Sequence, residues 1–134
     1  MTLRRSAPAA AAIALVAACA HPTQRPEAPP AGGGRQGQHV ETGVASYYAR
    51  SLEGRRTASG ERYRGASMTC AHRTHPFGAV LRVTELESGR SVLVEVNDRG
   101  PFESGRIIDL SWAAARALGI LERGIARVKV ERVR

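Results

Sequence analysis

Residues 91–111 are SVLVEVNDRGPFESGRIIDLS, and this stretch decides the fold. Valines stand at every second position from Val92 to Val96, which is the two-residue period of a strand with one buried face. The next five residues, Asn-Asp-Arg-Gly-Pro at 97–101, are rich in turn formers and end the strand. The stretch therefore predicts a half-buried strand that carries Asp98 at its end.

A second strand is predicted immediately before this one, over residues 80–86. The intervening Glu-Ser-Gly at 87–89 is a turn signal between two apolar runs. We therefore expect residues 80–97 to form a β-hairpin.

One short helix and a final strand are predicted C-terminal to the opening stretch. Ser111 is a fair N-cap for a helix over residues 112–118, and Gly119 is placed to end it. Residues 126–130 again alternate apolar and charged side chains, as in a half-buried strand. Strands that outnumber one short helix favour an all-β barrel over alternating βαβ units.

Residues 53–76 show little periodicity and are predicted to be a long loop that contains a short strand. Long loops in compact domains are where binding and catalytic residues concentrate. Two stretches have more specific sequences than a connecting loop needs, and we call them the over-specified stretches. They are residues 56–61 in this loop and 97–101 after the strand.

The N-terminus has the layout of a lipoprotein export signal. Arg4 and Arg5 precede the apolar run 7–18, which is shorter than the ~20 residues that span a bilayer, and Cys19 follows it. We expect residues 1–18 to be a signal peptide and Cys19 to become the lipidated first residue. An ordinary cleaved signal with an incidental cysteine is the alternative.

Residues 19–40 are predicted to be the lipidated cysteine and a flexible Pro/Gly linker, followed by one domain over residues 41–134. The net charge of +8 becomes +6 once Arg4 and Arg5 are removed. The basic residues are dispersed among acids, so polyanionic wall polymers or phospholipid surfaces are favoured and nucleic acid is excluded as a partner.

The chain resembles the rare lipoprotein A family over residues 42–133. The shared motifs keep their order and spacing, and Asn-Asp-Arg-Gly-Pro and Arg-Ile-Ile-Asp-Leu-Ser are the most specific of them. They lie at 43–46, 56–61, 71–73, 76–78, 97–101 and 106–111.

The resemblance implies a six-stranded double-psi β-barrel with one short helix. It also implies an endolytic lytic transglycosylase that cleaves peptidoglycan glycan strands free of stem peptides. The family's functional residues fall on Glu61, His72 and Asp98.

The chemistry of a lytic transglycosylase fits a single well-placed carboxyl group, unlike hydrolysis by the usual carboxylate pair. The acid protonates the departing glycosidic oxygen and then takes the proton of the muramic 6-hydroxyl, which closes a 1,6-anhydro ring. We predict that Asp98 is this acid and base. Glu61 would stabilise the oxocarbenium-like charge or exchange roles with it, and His72 would hydrogen-bond a carboxylate or a sugar hydroxyl.

Five further residues are predicted to bind the glycan. Tyr48 and Tyr63 are candidates to stack on sugar faces, whereas core packing is favoured for Phe77 and Trp112. The remaining three lie in the over-specified stretches and are Thr57, Ser59 and Arg99.

Plainer interpretations compete for several of these residues. Asp98 could be a turn former and Glu61 a solvated loop charge. Cys70, His72 and His75 have Cys-x-His-x-x-His spacing, but structural zinc prefers four ligands, so neither a metal nor another cofactor is expected. A nucleophilic Cys70–His72 pair is disfavoured because nothing indicates an acyl substrate. Cys70 lacks a disulfide partner, which indicates a buried thiol or intermolecular pairing.

The location and the rival functions complete these expectations. Ala20 after the lipidated cysteine, rather than Asp, favours anchoring in the outer membrane with the domain in the periplasm. The first rival is a non-catalytic, expansin-like module that binds peptidoglycan. The second is a structural lipoprotein that engages a cell-division or envelope protein.

Overall fold

The computed structural model describes residues 39–134. The predicted signal peptide, Cys19 and nearly all of the linker lie outside the described residues. Within residues 39–134 no helix is long and apolar enough to cross a membrane. The elements are β1 (Val40–Tyr47), a 3₁₀ turn (Arg50–Leu52), β2 (Thr69–His72), β3 (Val80–Glu85), β4 (Ser91–Asp98), β5 (Arg106–Leu110), α1 (Trp112–Leu118) and β6 (Ala126–Arg132).

The six strands close into a barrel in the order β1-β5-β2-β4-β3-β6. β1 pairs with β5, and β2 with β4, in parallel, whereas the other four pairings are antiparallel. Closure leaves no unpaired sheet edge. This is the six-stranded double-psi β-barrel with one short helix that the resemblance implied.

The predicted hairpin and helix are confirmed. β3 and β4 pair antiparallel from Val80↔Glu95 to Thr84↔Ser91. Ser111 caps α1 by accepting a hydrogen bond from the Ala114 N–H at 3.3 Å. Gly119 ends the helix in the left-handed region with φ 80°, a conformation that side-chain-bearing residues rarely adopt.

The barrel interior is filled by small and branched side chains. Alternate residues of β3, β4 and β6 point inward, as their sequence periodicity predicts. The helix contributes its alanine face and Leu118 to the same core. The largest fully buried apolar side chains are Leu81, Ile108, Leu110, Leu118, Ile120, Val83, Val94, Val96, Val128 and Val130.

β5 is a strand that periodicity did not predict. Its residues 107–110 are all buried, so the sequence Ile-Ile-Asp-Leu shows no alternation. This is the behaviour of a strand that is covered on both faces. The short strand predicted inside the long loop is present as β2.

A β-bulge on β4 decides how Asp98 is presented. Cys70 of β2 pairs with Val96, but the next residue, Ala71, pairs with Asp98, so Asn97 is the extra residue. The inward-outward alternation of β4 therefore breaks at its end. Asn97 is turned inward and only 3% exposed, and Asp98 is left half-buried at the mouth of the barrel.

Candidate functional site

Asp98 lies at the C-terminal end of β4 and accepts three hydrogen bonds. The N–H groups of Ala58 and Arg99 donate to Oδ1 at 2.8 and 2.9 Å. The Tyr48 hydroxyl donates to Oδ2 at 2.5 Å. Donors from the residue after β1, the long loop and the residue after β4 thus fix the carboxylate in one orientation, as a catalytic acid and base requires.

The over-specified stretch 56–61 is folded over the end of β4. The Ser59 N–H donates to the Asn97 carbonyl at 3.2 Å, next to the Ala58 bond to Asp98. Thr57 closes the loop, because its N–H and hydroxyl both donate to the Glu61 carbonyl, at 2.7 and 3.0 Å. The structure therefore brings the two predicted stretches together.

Thr57 is buried, and its hydroxyl is also within 3.0 Å of the Ser59 hydroxyl. This corrects the prediction that Thr57 contacts substrate, because its bonding capacity is used to shape the loop. Ser59 is half-buried beside Asp98, and its role as a substrate contact stays a prediction.

Glu61 projects from the same loop and is exposed. Its Oε2 lies 3.4 Å from Nδ2 of the inward-turned Asn97. It also lines a cavity of about 410 Å³ beside the end of β4. Asn97 thus connects the two predicted carboxylates, because it precedes Asp98 in the chain and bonds Glu61 through its side chain.

Tyr48 supports Asp98 through its hydroxyl, a role that the sequence did not reveal. Its ring is half-buried and meets the Tyr63 ring edge to face, with centroids 4.6 Å apart. Burial, followed by the hydrogen bond to Asp98, raises the pKa of Tyr48 above its usual range. The phenol therefore remains a protonated donor at neutral pH.

Tyr63 does not face the solvent. Its ring is 2% exposed, and its oxygen accepts a hydrogen bond from the Trp112 N–H at 3.1 Å. The prediction that Tyr63 stacks on a sugar is therefore wrong. Its ring instead packs against the Tyr48 ring, and its oxygen links this pair to the start of α1.

His72 is 2% exposed, and both of its ring nitrogens are bonded. Nδ1 accepts from the N–H groups of Thr74 and His75, each at 3.2 Å, which leaves the proton on Nε2, 3.0 Å from a Glu41 oxygen. Burial is the main cause of its lowered pKa, and the bond to Glu41 opposes it. His72 therefore bonds a carboxylate from a buried position, and its predicted part in catalysis stays a prediction.

Arg99 joins the His72 turn to the site. Its Nη1 donates to the carbonyls of His75 at 3.0 Å and His72 at 3.4 Å. Its guanidinium stacks on Phe77, with Cζ 4.0 Å from the ring centroid. Arg99 thus has a structural function next to Asp98, and its predicted contact with substrate stays a prediction.

The two aromatic rings predicted to pack in the core lie elsewhere. Phe77 is 44% exposed under Arg99, so the core prediction is wrong for this residue. Trp112 is half-buried and has Arg50 at 4.9 Å and Arg116 at 5.5 Å from its ring centroid. Both guanidinium groups lie next to the ring, which is at the barrel surface.

Arg73 holds the segment that follows Asp98, a role not assigned from sequence. Its guanidinium donates to the carbonyls of Pro101, Glu103 and Arg106 at 2.5, 2.8 and 2.8 Å. Three carbonyls on one side chain fix the path of residues 101–106. Only its place in the shared 71–73 motif pointed to it.

A second polar network lies on the neighbouring strands. Asp109 accepts from the Ser46 hydroxyl and from Arg106 Nη2, both at 2.5 Å. The charge of Asp109 also contributes to the raised pKa of Tyr48, which places this network near the site. Asp109 lies within β5, the strand that precedes α1.

Cys70 is a free thiol in the core, with no exposed surface, and burial raises its pKa. It is therefore inert, and of the two roles left open for it the buried thiol is observed. In the described part of the chain no group of three or more His, Cys, Asp or Glu side chains is arranged to hold a metal ion.

Comparison with known families places this site in a family context. The family model described as lytic transglycolase matches residues 40–130. Two relatives described as endolytic peptidoglycan transglycosylase RlpA come from Pseudomonas aeruginosa and Neisseria meningitidis. The first is 56% identical over 89 residues and the second 48% identical over 96 residues.

These matches cover the barrel of the chain and a minor part of each relative. They span 66% of this chain and 26% of the Pseudomonas protein, and 72% of this chain and 40% of the Neisseria protein. This chain therefore matches well under half of the length of these relatives.

Two solved structures share the fold. A Streptomyces papain inhibitor superposes with a TM-score of 0.57 and 28% identity, covering 71% of this chain and 94% of the inhibitor. An expansin of Clavibacter michiganensis, in a mutant form in complex with cellohexaose, gives a TM-score of 0.56 and 26% identity, covering 71% of this chain and 50% of the expansin.

Proposed function

The chain belongs to the lytic transglycolase family, and from this membership we propose that it is an endolytic peptidoglycan transglycosylase. Its substrate is the glycan strand free of stem peptides, and its products carry 1,6-anhydromuramic ends. Asp98 is the acid and base. The observation that carries the proposal is the Asp98 carboxylate, held by three donors at the open end of the barrel.

In this reaction Asp98 donates one proton and then accepts one. Protonated Asp98 donates to the glycosidic oxygen as the bond from the muramic anomeric carbon breaks. The resulting carboxylate takes the proton of the muramic 6-hydroxyl, whose oxygen bonds the same carbon. No water is consumed, and Asp98 ends protonated as it began.

The neighbours of Asp98 suit both halves of this cycle. The Tyr48 hydroxyl can donate to the carboxylate and can accept from the protonated acid, because a phenol does both. Glu61, on the adjacent loop, supplies negative charge for the oxocarbenium-like transition state. The rigid bulge and loop contacts hold these groups without help from the substrate.

Product analysis tests the proposal. The full-length chain is incubated with stem-peptide-free glycan strands, and the fragments are analysed by mass spectrometry. Fragments with 1,6-anhydromuramic ends are expected. Reducing ends would indicate a hydrolase.

The matched variants are Asp98→Asn and Glu95→Gln. Asp98→Asn retains the shape of the side chain but cannot cycle a proton, so activity should fall below detection while circular dichroism is unchanged. Glu95 is an exposed carboxylate on the same strand, and its variant should retain activity. Equal activity of the Asp98→Asn protein and the native chain would remove Asp98 from the mechanism.

A second candidate function is a non-catalytic glycan-binding module, favoured by the similarity to the Clavibacter expansin. Sedimentation with purified sacculi distinguishes it. Binding that releases no soluble fragments, and that Asp98→Asn leaves unaffected, would support the module.

We further propose that the chain is lipid-anchored through Cys19 to the outer membrane, with its domain in the periplasm. The support is the pattern of two arginines, an apolar run and a cysteine near the N-terminus. Mass spectrometry of the N-terminal peptide should find an acylated Cys19 in membrane fractions. A Cys19→Ser chain should lose both the lipid and the membrane association.

A further inference from the structure

A polar cavity of about 410 Å³ opens beside the end of β4, separate from the donors that hold Asp98. It lies between the long loop, the start of β2 and the bulge of β4. Its lining is polar and cationic, and consists of Glu61, Arg62, Arg64, Ser67, Thr69 and Asn97.

Two buried polar atoms of this lining have no partner among residues 39–134. These atoms are Asn97 Oδ1 and Thr69 Oγ1. The contact of Asn97 Nδ2 with Glu61 identifies Oδ1 as the free acceptor. A buried acceptor without a donor is costly, so Asn97 Oδ1 would gain a partner from a ligand whose N–H or O–H group reached it from the cavity.

The two arginines of the lining favour a ligand that carries negative charge. Arg62 is held in place, because its Nη1 donates to the Gly54 carbonyl at 2.9 Å. The Arg64 side chain makes no hydrogen bond or ion pair within the described residues, and Glu61 is the only acid of the lining. Guanidinium groups pair with carboxylates through parallel hydrogen bonds, which a flexible ammonium does not reproduce.

We propose that this cavity binds the muramic acid residue of a stripped glycan strand through its free lactyl carboxylate. Arg62 and Arg64 pair with the carboxylate, and Asn97 Oδ1 accepts from the neighbouring acetamido N–H. Both substituents stand on adjacent carbons of muramic acid, and glucosamine has only the second. This inference rests on the proposed function, because it names the group by which the same site recognises its substrate.

The assignment gives a physical reason for a preference for stripped strands. A stem peptide converts the lactyl carboxylate into an uncharged amide and extends it by a chain of residues. Such a strand loses its pairing with both arginines and must fit a peptide into the cavity. The cavity would also fix which sugar of the glycan strand lies at the catalytic carboxylates. Glu61 is part of its lining, and Asp98 directly follows the lining residue Asn97.

Binding to chemically matched strands tests the inference. The full-length chain carrying Asp98→Asn is used so that strands remain uncut. It is titrated with end-labelled stripped strands and with the same strands after carbodiimide coupling to methylamine, which removes the charge of the carboxylate. We expect about tenfold weaker binding of the amidated strands, since hydrogen bonds to charged groups carry that much affinity.

Variants locate the effect in the cavity. Adding Arg64→Gln should reduce the discrimination between the two strands, because Arg62 is then the only guanidinium of the lining left to pair with the lactyl carboxylate. Adding Arg62→Gln as well should bring it below about twofold, because the remaining bonds do not depend on the lactyl charge. The control is Arg55→Gln, which removes an exposed arginine of the same loop that lies outside the cavity lining and should retain the full discrimination. Equal loss in both variants would indicate a general charge effect and overturn the site.

Different results would contradict the inference and the proposed function. Equal binding of native and amidated strands, or discrimination that survives Arg64→Gln combined with Arg62→Gln, would overturn the inference even if anhydro ends are formed. Discrimination that depends on Arg64, without any anhydro product from the chain with native Asp98, would uphold the cavity and overturn the transglycosylase.

Discussion

Asp98 and Tyr48 show how the site depends on contacts between distant parts of the sequence. The sequence predicted Asp98 from its motif and Tyr48 as a ring for a sugar. The structure instead joins the two side chains by a hydrogen bond of 2.5 Å across 50 positions. A motif reveals that a residue matters, but it does not reveal the partner that β1 brings to the end of β4.

Tyr48→Phe separates the two roles of this tyrosine. The variant keeps the ring and its contact with Tyr63 and loses only the donor to Asp98. We expect kcat on stripped strands to fall about tenfold with little change in KM, because the lost bond acts on the reacting carboxyl. A rise in KM at unchanged kcat would indicate that the hydroxyl binds sugar instead.

The buried His72 predicts a local response to acid. The lowered pKa of His72 means that its stabilising contribution is present above its ordinary value of 6.5 and is lost as the pH falls below it. Protonation of Nδ1 removes the acceptor for the Thr74 and His75 amides. Arg99 and His39 then add repulsion, and Glu41 opposes it.

Hydrogen exchange, corrected for the intrinsic effect of pH, measures this response. Protection of the Thr74 and His75 amides should be retained above about pH 6.5 and should fall as the pH drops below that value and the histidine is protonated. The Glu87 and Ser88 amides are the internal control, because their acceptor is Glu85, whose pKa is about 2. Unchanged protection at Thr74 and His75 would contradict the assignment of Nδ1 as their acceptor.

At the scale of elements, the β3–β4 hairpin carries a buried carboxylate at its turn. Glu85 has no exposed surface and accepts from the N–H groups of Glu87 and Ser88 at 3.1 and 2.6 Å. Hydrogen bonding from Ser88 is the main cause that lowers its pKa to about 2. Arg123, from the segment before β6, lies 3.4 Å from the same carboxylate.

The hairpin should therefore lose stability in acid over a defined range. The contribution of Glu85 is present above pH 4.5, its ordinary pKa, and is lost as the pH falls towards 2. In Glu85→Gln, Tm should be lower at neutral pH and should fall less steeply across this range. Glu87→Gln is the control, since that carboxylate is exposed and should matter little. Parallel Tm curves for Glu85→Gln and the native chain would contradict this account.

The elements also show what sequence patterns can and cannot predict. β4, β6 and α1 follow from periodicity and capping, because each has one buried face and local end signals. β5 has no alternation, since both of its faces are covered, and only the family resemblance implied a sixth strand. The fold of residues 57–61 over β4 depends on backbone N–H groups that donate to the Asn97 carbonyl and the Asp98 carboxylate, and backbone donors leave no side-chain pattern in the sequence.

At the scale of the molecule, barrel closure explains the free cysteine. The sequence left Cys70 open between a buried thiol and an intermolecular disulfide, because spacing does not reveal depth. In the barrel it is fully buried between β4 and β5, the two strands that flank β2. The rate at which its thiol reacts with a labelling reagent therefore measures how often the whole barrel opens.

Thiol labelling of a Cys19→Ser chain tests this, since Cys70 is then the only cysteine. We expect labelling of the folded protein to be roughly a thousandfold or more slower than that of the chain in denaturant. The labelling rate should increase along the global unfolding transition. Rapid labelling under native conditions would place the thiol outside the core.

The central claim is that this barrel cleaves glycan strands without water, through one cycling proton on Asp98. The most direct measurement is digestion of stripped strands by the full-length chain in oxygen-18-labelled water, followed by mass spectrometry of the new muramic ends. We predict that these ends carry no label and have the mass of the 1,6-anhydro form. New reducing ends in place of anhydro ends would contradict the account, because hydrolysis places a solvent oxygen on the anomeric carbon at cleavage and ring closure by the 6-hydroxyl does not.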